Sequence, residues 1–112
     1  LSGWFAEDGV AIPRGDLIAP RVEAEIGFIL KAPLRGPGVT VQDVLAATGA
    51  VTPCIEVIDS RVRDWKIGLV DTVADMASSA RVVVGRTRIP VEGLDLRLIG
   101  AVLERLGPPA SR

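Results

Sequence analysis

A β-rich α+β fold is the class this sequence predicts, and three observations predict it. Twelve Gly and eight Pro cut the 112 residues into short segments that leave no room for long helices. Two runs, around Val22 and around Val51, carry the alternation and the β-branched content of strands. One stretch, opening at Thr40, carries the start signal of a short helix. Hydrophobic residues make up 48% of the chain, enough to bury a core that offsets conformational entropy.

Residues 1–19 mix apolar and turn-forming residues, with Asp8-Gly9 and Arg14-Gly15-Asp16 as turns. Arg14-Gly15-Asp16 is also a tripeptide read by some adhesion receptors, a match that three residues produce by chance. Val22 to Leu30, flanked by Pro20 and Pro33, reads as a strand. Its alternation places Val22, Ala24, Ile26 and Phe28 on one face, and Glu23, Glu25 and Gly27 on the other. After a Gly36-Pro37-Gly38 turn, Thr40 caps a helix over Val41 to Thr48, with Gly49 closing it. Asp43 suits the positive end of that helix.

Val51 to Ser60 reads as a second strand, with Pro53 near its start, where a missing N–H is tolerated. Arg61 to Leu69 carries no clear pattern, and Asp71 to Ser79 reads as a loop with one helical turn. Arg81 to Val84 is a β-branched strand ending at Gly85, and Arg86 and Arg88 read as a solvated strand edge. Leu94 to Leu106 fits a helix by apolar spacing and a strand by its Ile99 and Val102; strand is the reading adopted. No repeat or linker divides the chain.

Composition excludes more than it proposes. With no His, nucleophile systems built on His, His-containing zinc sites and a His general base are all ruled out. A single Cys rules out an internal disulfide and a Cys-cluster metal site. Thirteen basic and fourteen acidic residues leave a net charge of -1, so no nucleic-acid partner is expected. No apolar run approaches the roughly 18 to 20 residues that span a bilayer, and no signal peptide opens the chain. No membrane partner and a cytoplasmic location are therefore expected. The chain begins at Leu1 rather than Met, which reads as part of something longer.

The chemistry left open runs on carboxylates, Lys, Arg, hydroxyls or a hard metal. Glu23-Ala24-Glu25 places two carboxylates on one strand face, their α-carbons about 6.5 to 7 Å apart. Such a pair is either a solvated face or a site where a cation sits between the charges. Glu56 stands inside the apolar run Cys54-Ile55-Glu56-Val57-Ile58, where an isolated carboxylate is costly. If the two strands are neighbours, Glu23, Glu25 and Glu56 form a three-carboxylate cluster. Oxygen-only ligation of that kind suits Mg²⁺, Mn²⁺ or Ca²⁺.

The ordered motifs go further. Pro20-Arg-Val-Glu-Ala-Glu-Ile-Gly-Phe28, Asp43 to Thr48, Glu56-Val-Ile-Asp-Ser-Arg61, Asp64 to Ile67, Asp71 to Asp75 and Ser78-Ser79 together resemble the fumarylacetoacetate hydrolase superfamily. Within it they resemble the 2-keto-4-pentenoate hydratase and 4-oxalocrotonate decarboxylase branch. The resemblance implies that residues 1–112 are the central part of a single catalytic domain, with the N-terminal portion bearing a catalytic Lys and the C-terminal portion both absent. It implies a mixed β-sandwich or roll with short helices, and Mg²⁺ or Mn²⁺ held by Glu23, Glu25 and Glu56. It also implies a homo-oligomer acting on a 2-oxo or 2-hydroxydienoate small molecule. The reaction would be hydration of a 2-hydroxypenta-2,4-dienoate-type substrate in aromatic catabolism; decarboxylation, or a non-catalytic truncated homologue, are the alternatives.

Individual residues carry two readings each. Asp59 is the candidate catalytic residue, orienting a water or taking a proton, or else it pairs with Arg61 or Arg63. Arg61 meets a substrate carboxylate through its planar fork or braces Asp59 or Asp64. Lys66 binds substrate or sits in a surface ion pair. Ser78 and Ser79 bind substrate oxygens or cap a loop. Cys54 reads as a buried small apolar residue. Met76 departs from the family pattern, which has Asn there, and a thioether offers none of the amide's hydrogen bonds.

Overall fold

The computed structural model describes residues 2–106, and its organising element is one mixed sheet. In chain order the elements are β1 (Phe5–Glu7), β2 (Arg21–Leu30), α1 (Val41–Ala47), β3 (Thr48–Ile58), α2 (Leu69–Ala74), β4 (Ser79–Val84) and β5 (Ile89–Pro90). The strands lie in the order β1, β4, β3, β2, and β5 pairs with the open end of β3. β1 runs parallel to β4, while β3 is antiparallel to β2, β4 and β5.

β3 is the centre of the sheet because it pairs with three strands, β2, β4 and β5, whereas β4 pairs with two. Its Val51, Cys54 and Val57 are buried, and Ala47 and Ala80 add to this small core. Pro53 lies further into the strand than its expected place near the start. Its carbonyl accepts from the Gly85 N–H at 2.9 Å, so its backbone faces the gap where β4 has ended and β5 has not begun. The missing N–H therefore removes no ladder bond there.

α1 begins as expected. The Thr40 hydroxyl accepts from the Asp43 N–H at 3.2 Å, and the Asp43 carboxylate accepts from the Thr40 N–H at 2.8 Å, a reciprocal capping box. The helix does not close on Gly49. It stops at Ala47, and Thr48 turns straight into β3 with extended backbone while its hydroxyl caps the Val44 carbonyl at 2.7 Å. Gly49 is instead a strand residue, where a Cβ would lie 3.3 Å from that of Lys31.

Two other expectations are corrected. Leu94 to Leu106 is not a strand; after one 3₁₀ turn, Leu96–Leu98, it runs without regular structure. It crosses the sheet face bearing Ile26 and Val51, where Leu94 and Ile99 line an apolar cleft that continuous strand pairing would not fill. Arg86 and Arg88 lie beyond the end of β4 and are not on a strand. Arg86 bonds the Asp8 carbonyl at 2.7 Å and Arg88 the Thr52 hydroxyl at 2.9 Å. Arg14–Asp16 forms a tight 3₁₀ turn, and no helix among the described residues is long and apolar enough to cross a membrane.

Candidate metal centre

β2 and β3 pair over almost their whole length, with Glu23 opposite Glu56 and Glu25 opposite Cys54. The period of two then puts Glu23, Glu25, Gly27, Glu56 and Cys54 on one face of the sheet. Among the described residues, Glu23, Glu25 and Glu56 can each present a carboxylate oxygen within 4.8 Å of the others. Glu56 is half-buried, and the two β2 carboxylates are exposed. No Lys or Arg of the described residues forms an ion pair with any of the three. Three carboxylates this close repel one another, and an all-oxygen set with no internal counter-charge fits a hard divalent cation.

Gly27 gives this face its shape. A Cβ at residue 27 would stand 2.5 Å from the Cys54 Sγ and 3.2 Å from the Thr52 Cγ2. Cys54 is buried, as its sequence context suggests, and its thiol occupies the space that a side chain at residue 27 would need.

The remaining candidates gather where β3 leaves the sheet. Asp59 is 3% exposed, and its two carboxylate oxygens accept the Ile18 and Ala19 N–H groups, each at 2.7 Å. It forms no ion pair with Arg61 or Arg63; Arg61 reaches only its main-chain carbonyl, at 3.0 Å. Arg61 pairs with Asp75 rather than with Asp59 or Asp64. Its Nε lies 2.5 Å from Asp75 Oδ1, and its other nitrogens donate to the Asp59, Ser79 and Asp75 carbonyls. Four of the five guanidinium N–H groups are thereby used. Ser78 is buried, and its hydroxyl donates to Asp75 Oδ2 at 3.0 Å. Ser79 opens β4 opposite Ile58, two residues along β3 from Glu56. Lys66 is exposed, 3.8 Å from Asp64.

Partial burial raises the Asp75 pKa, but hydrogen bonds from the Arg61 backbone and side chain and from Ser78, with the Arg61 charge, outweigh it and the net shift is downward. Two further residues matter that lie within the motifs above but were given no role there. Trp65 donates its Nε1–H to the Ala19 carbonyl at 2.9 Å, and the Arg21 guanidinium lies over its ring, 4.2 Å from the centroid. Asp75, Trp65 and Arg21 are separated from their partners by fourteen or more residues, so neither spacing nor alternation reveals them.

No family model matches the chain. It is 49% identical over 106 residues to a 2-hydroxyhexa-2,4-dienoate hydratase of Comamonas testosteroni, covering 93% of this chain and 40% of that protein. It is 49% identical over 100 residues to a 4-oxalocrotonate decarboxylase of Pseudomonas sp. (strain CF600), covering 89% and 38%. Over the segment it spans, the chain is similar to 2-keto-4-pentenoate hydratases and 4-oxalocrotonate decarboxylases. A solved structure, a 4-oxalocrotonate decarboxylase from Pseudomonas putida G7 complexed with magnesium and adipate, superimposes with a TM-score of 0.75 at 44% identity. That match covers 84% of this chain and 36% of the decarboxylase. The chain spans about two fifths of the length of the relatives it matches.

Proposed function

We propose that this chain carries the metal-binding part of a hydro-lyase that adds water to a 2-hydroxypenta-2,4-dienoate-type substrate in aromatic-compound catabolism. The observation that carries the reading is the convergence of Glu23, Glu25 and Glu56 on one sheet face, in a chain 52% identical over 100 residues to a 2-hydroxypent-2,4-dienoate hydratase of Pseudomonas putida. The three carboxylates would hold Mg²⁺ or Mn²⁺, hard ions that accept an all-oxygen set. When bound, the ion supplies Lewis-acid stabilisation to the negative charge that builds on a 2-oxo acid as protons move along its conjugated chain. Gly27 adds no side chain to that face, and the buried Cys54 thiol fills the place beside it. Ser79, two β3 positions from Glu56, and the remaining free N–H of Arg61 are the groups that would meet substrate oxygens; Ser78 supports them through Asp75. Lys66, exposed beside Asp64, is the weaker candidate for substrate contact.

We further read the sheet as one layer of a fumarylacetoacetate hydrolase-like sandwich or roll, and residues 1–112 as the central part of one cytoplasmic, homo-oligomeric catalytic domain. Val22 and Phe28 support the first point: both lie on the face opposite the carboxylates and are 53% and 43% exposed, as a layer awaiting cover would leave them. Decarboxylation is the second reading, supported by the likeness to a decarboxylase bound to magnesium. Both reactions need the same stabilised enolate, and they differ in whether water adds or carbon dioxide leaves.

The test uses the protein at its full natural length with Mg²⁺ or Mn²⁺. Metal-stimulated loss of dienoate absorbance without carbon dioxide release is the expected result, and carbon dioxide release selects the decarboxylase. Glu25→Gln should weaken Mn²⁺ binding at least about 10-fold and reduce turnover in parallel, with the near-ultraviolet dichroism unchanged. Unaltered Mn²⁺ binding in that variant, with no metal-stimulated turnover in the parent, rules out the enzyme reading.

A further inference from the structure

All four polar functions of Asp59 are committed to other segments. Its N–H donates to the Ser78 carbonyl at 2.7 Å, and its carbonyl accepts from Arg61 at 3.0 Å. Its carboxylate takes the N–H groups of Ile18 and Ala19, forty or so residues away, at 2.7 Å each. Trp65 then holds the Ala19 carbonyl at 2.9 Å, so the peptide groups on both sides of Ala19 are fixed. These residues lead directly into β2, and Asp59 is the residue that follows β3. Only two strand pairs, Arg21 with Ile58 and Val22 with Val57, separate this clamp from the pairing of Glu23 with Glu56.

The clamp matters because burial specifies the register of β2 weakly. Among the described residues β2 pairs with β3 alone, and within it only Ile26 and Gly27 are even half-buried. A strand with a buried face loses its core contacts on slipping; a strand exposed on both faces loses little. A slip of one residue would turn Glu23 and Glu25 to the opposite face, and a slip of two would bring Arg21 or Glu25 opposite Glu56. Charge-assisted bonds from a buried carboxylate to two successive N–H groups resist both.

We propose that Asp59 is a positioning residue for the Glu23, Glu25 and Glu56 set, holding β2 in register against β3, and that it takes no part in proton transfer. Its carboxylate is buried and occupied by main-chain donors, so it presents nothing to a substrate. This rests on the reading that the three glutamates hold the metal ion.

The test compares the full-length parent with Asp59→Asn and Trp65→Phe, reading Mn²⁺ affinity by electron paramagnetic resonance and the pH dependence of turnover. An amide at residue 59 turns a donor toward one of the two main-chain N–H groups, which breaks half the clamp. The expected result is about 10- to 100-fold weaker Mn²⁺ binding, the range seen when a group that orients ligands is removed. Turnover at saturating Mn²⁺ should keep the parent's pH profile. Trp65→Phe leaves Asp59 intact, removes the bond to the Ala19 carbonyl and keeps an aromatic ring beside Arg21; it should weaken Mn²⁺ in the same direction by a smaller factor, and it decides the matter if Asp59→Asn fails to fold. Unchanged Mn²⁺ affinity in the folded variants, or loss of one limb of the pH profile in Asp59→Asn, overturns the proposal. A parent that binds no Mn²⁺ overturns the metal reading itself and this inference with it.

Discussion

Met76, Ala77 and Ser78 stand in sequence at φ of 53°, 55° and 58°, a left-handed turn built without a glycine. For most L-residues that conformation costs roughly 1–2 kcal/mol each, because Cβ crowds the following carbonyl; Asn tolerates it best among non-glycine residues. The turn is held by what it connects. The Ser78 N–H bonds the Asp75 carbonyl at 2.8 Å, and the Ser78 carbonyl takes the Asp59 N–H at 2.7 Å. Met76 itself is 55% exposed, so its side chain contributes little packing. An Asn at this position would therefore have a backbone reason as well as a hydrogen-bonding one. Met76→Asn should raise stability by about 1 kcal/mol and the melting temperature by a few degrees, measured by thermal unfolding. A lower melting temperature would refute the strain argument. The sequence marked this stretch as a loop with one helical turn but could not show its handedness. Three ordinary residues in a row carry no signal for positive φ.

The alternation within β2 was legible because it and the glutamate spacing are local, whereas the pairing of β2 with β3 entered only as a condition. Val22, Ala24, Ile26 and Phe28 separate from Glu23, Glu25 and Gly27 by period alone, and the structure keeps that separation. The capping box at Thr40 and Asp43 was equally readable, since both partners lie within one turn. Gly49 misled, because a glycine after a helical stretch signals a C-cap, and here close approach to Lys31 places it in a strand. Residues 94–106 misled for a different reason: Ile99 lines an apolar cleft on a sheet face without entering the ladder, and Val102 is exposed. Gly27 supplies the prediction at this scale. Gly27→Ala puts a methyl against the Cys54 Sγ and should destabilise by about 1–3 kcal/mol in urea unfolding. The double variant with Cys54→Ala should recover part of that loss, because the clash is with the sulfur. Additive losses would mean that the cost lies in the backbone.

Across the whole molecule, the absence of His removes the side chain that ordinarily titrates between about pH 5 and 8. Apart from Arg97, raised by its hydrogen bond to Asp95, the shifted groups are carboxyls. Hydrogen bonds from Thr40 hold Asp43 low, those from Arg97 hold Asp95 low, and those from Arg61 and Ser78 overcome partial burial at Asp75. A carboxyl depressed in the folded state binds fewer protons there than when unfolded, so stability rises with pH through its titration. The contribution is complete above the ordinary value of 3.8 and is lost as pH falls through the depressed folded values. Urea unfolding should therefore give near-constant stability from about pH 7 to 5 and a decline below about pH 4. Asp75→Asn should show a shallower acid decline, and a steep loss between pH 7 and 5 would contradict this assignment. Sequence alone determined the strand alternation, the α1 cap, the absence of His from these residues and the candidate trio of glutamates, because each depends on residue type and short-range spacing. Tertiary structure decided that Glu23 faces Glu56, that Arg61 belongs to Asp75, and that Asp59 clamps Ile18 and Ala19. Those pairings join residues 14 to 41 positions apart, and only the folded chain brings their hydrogen-bonding groups within reach.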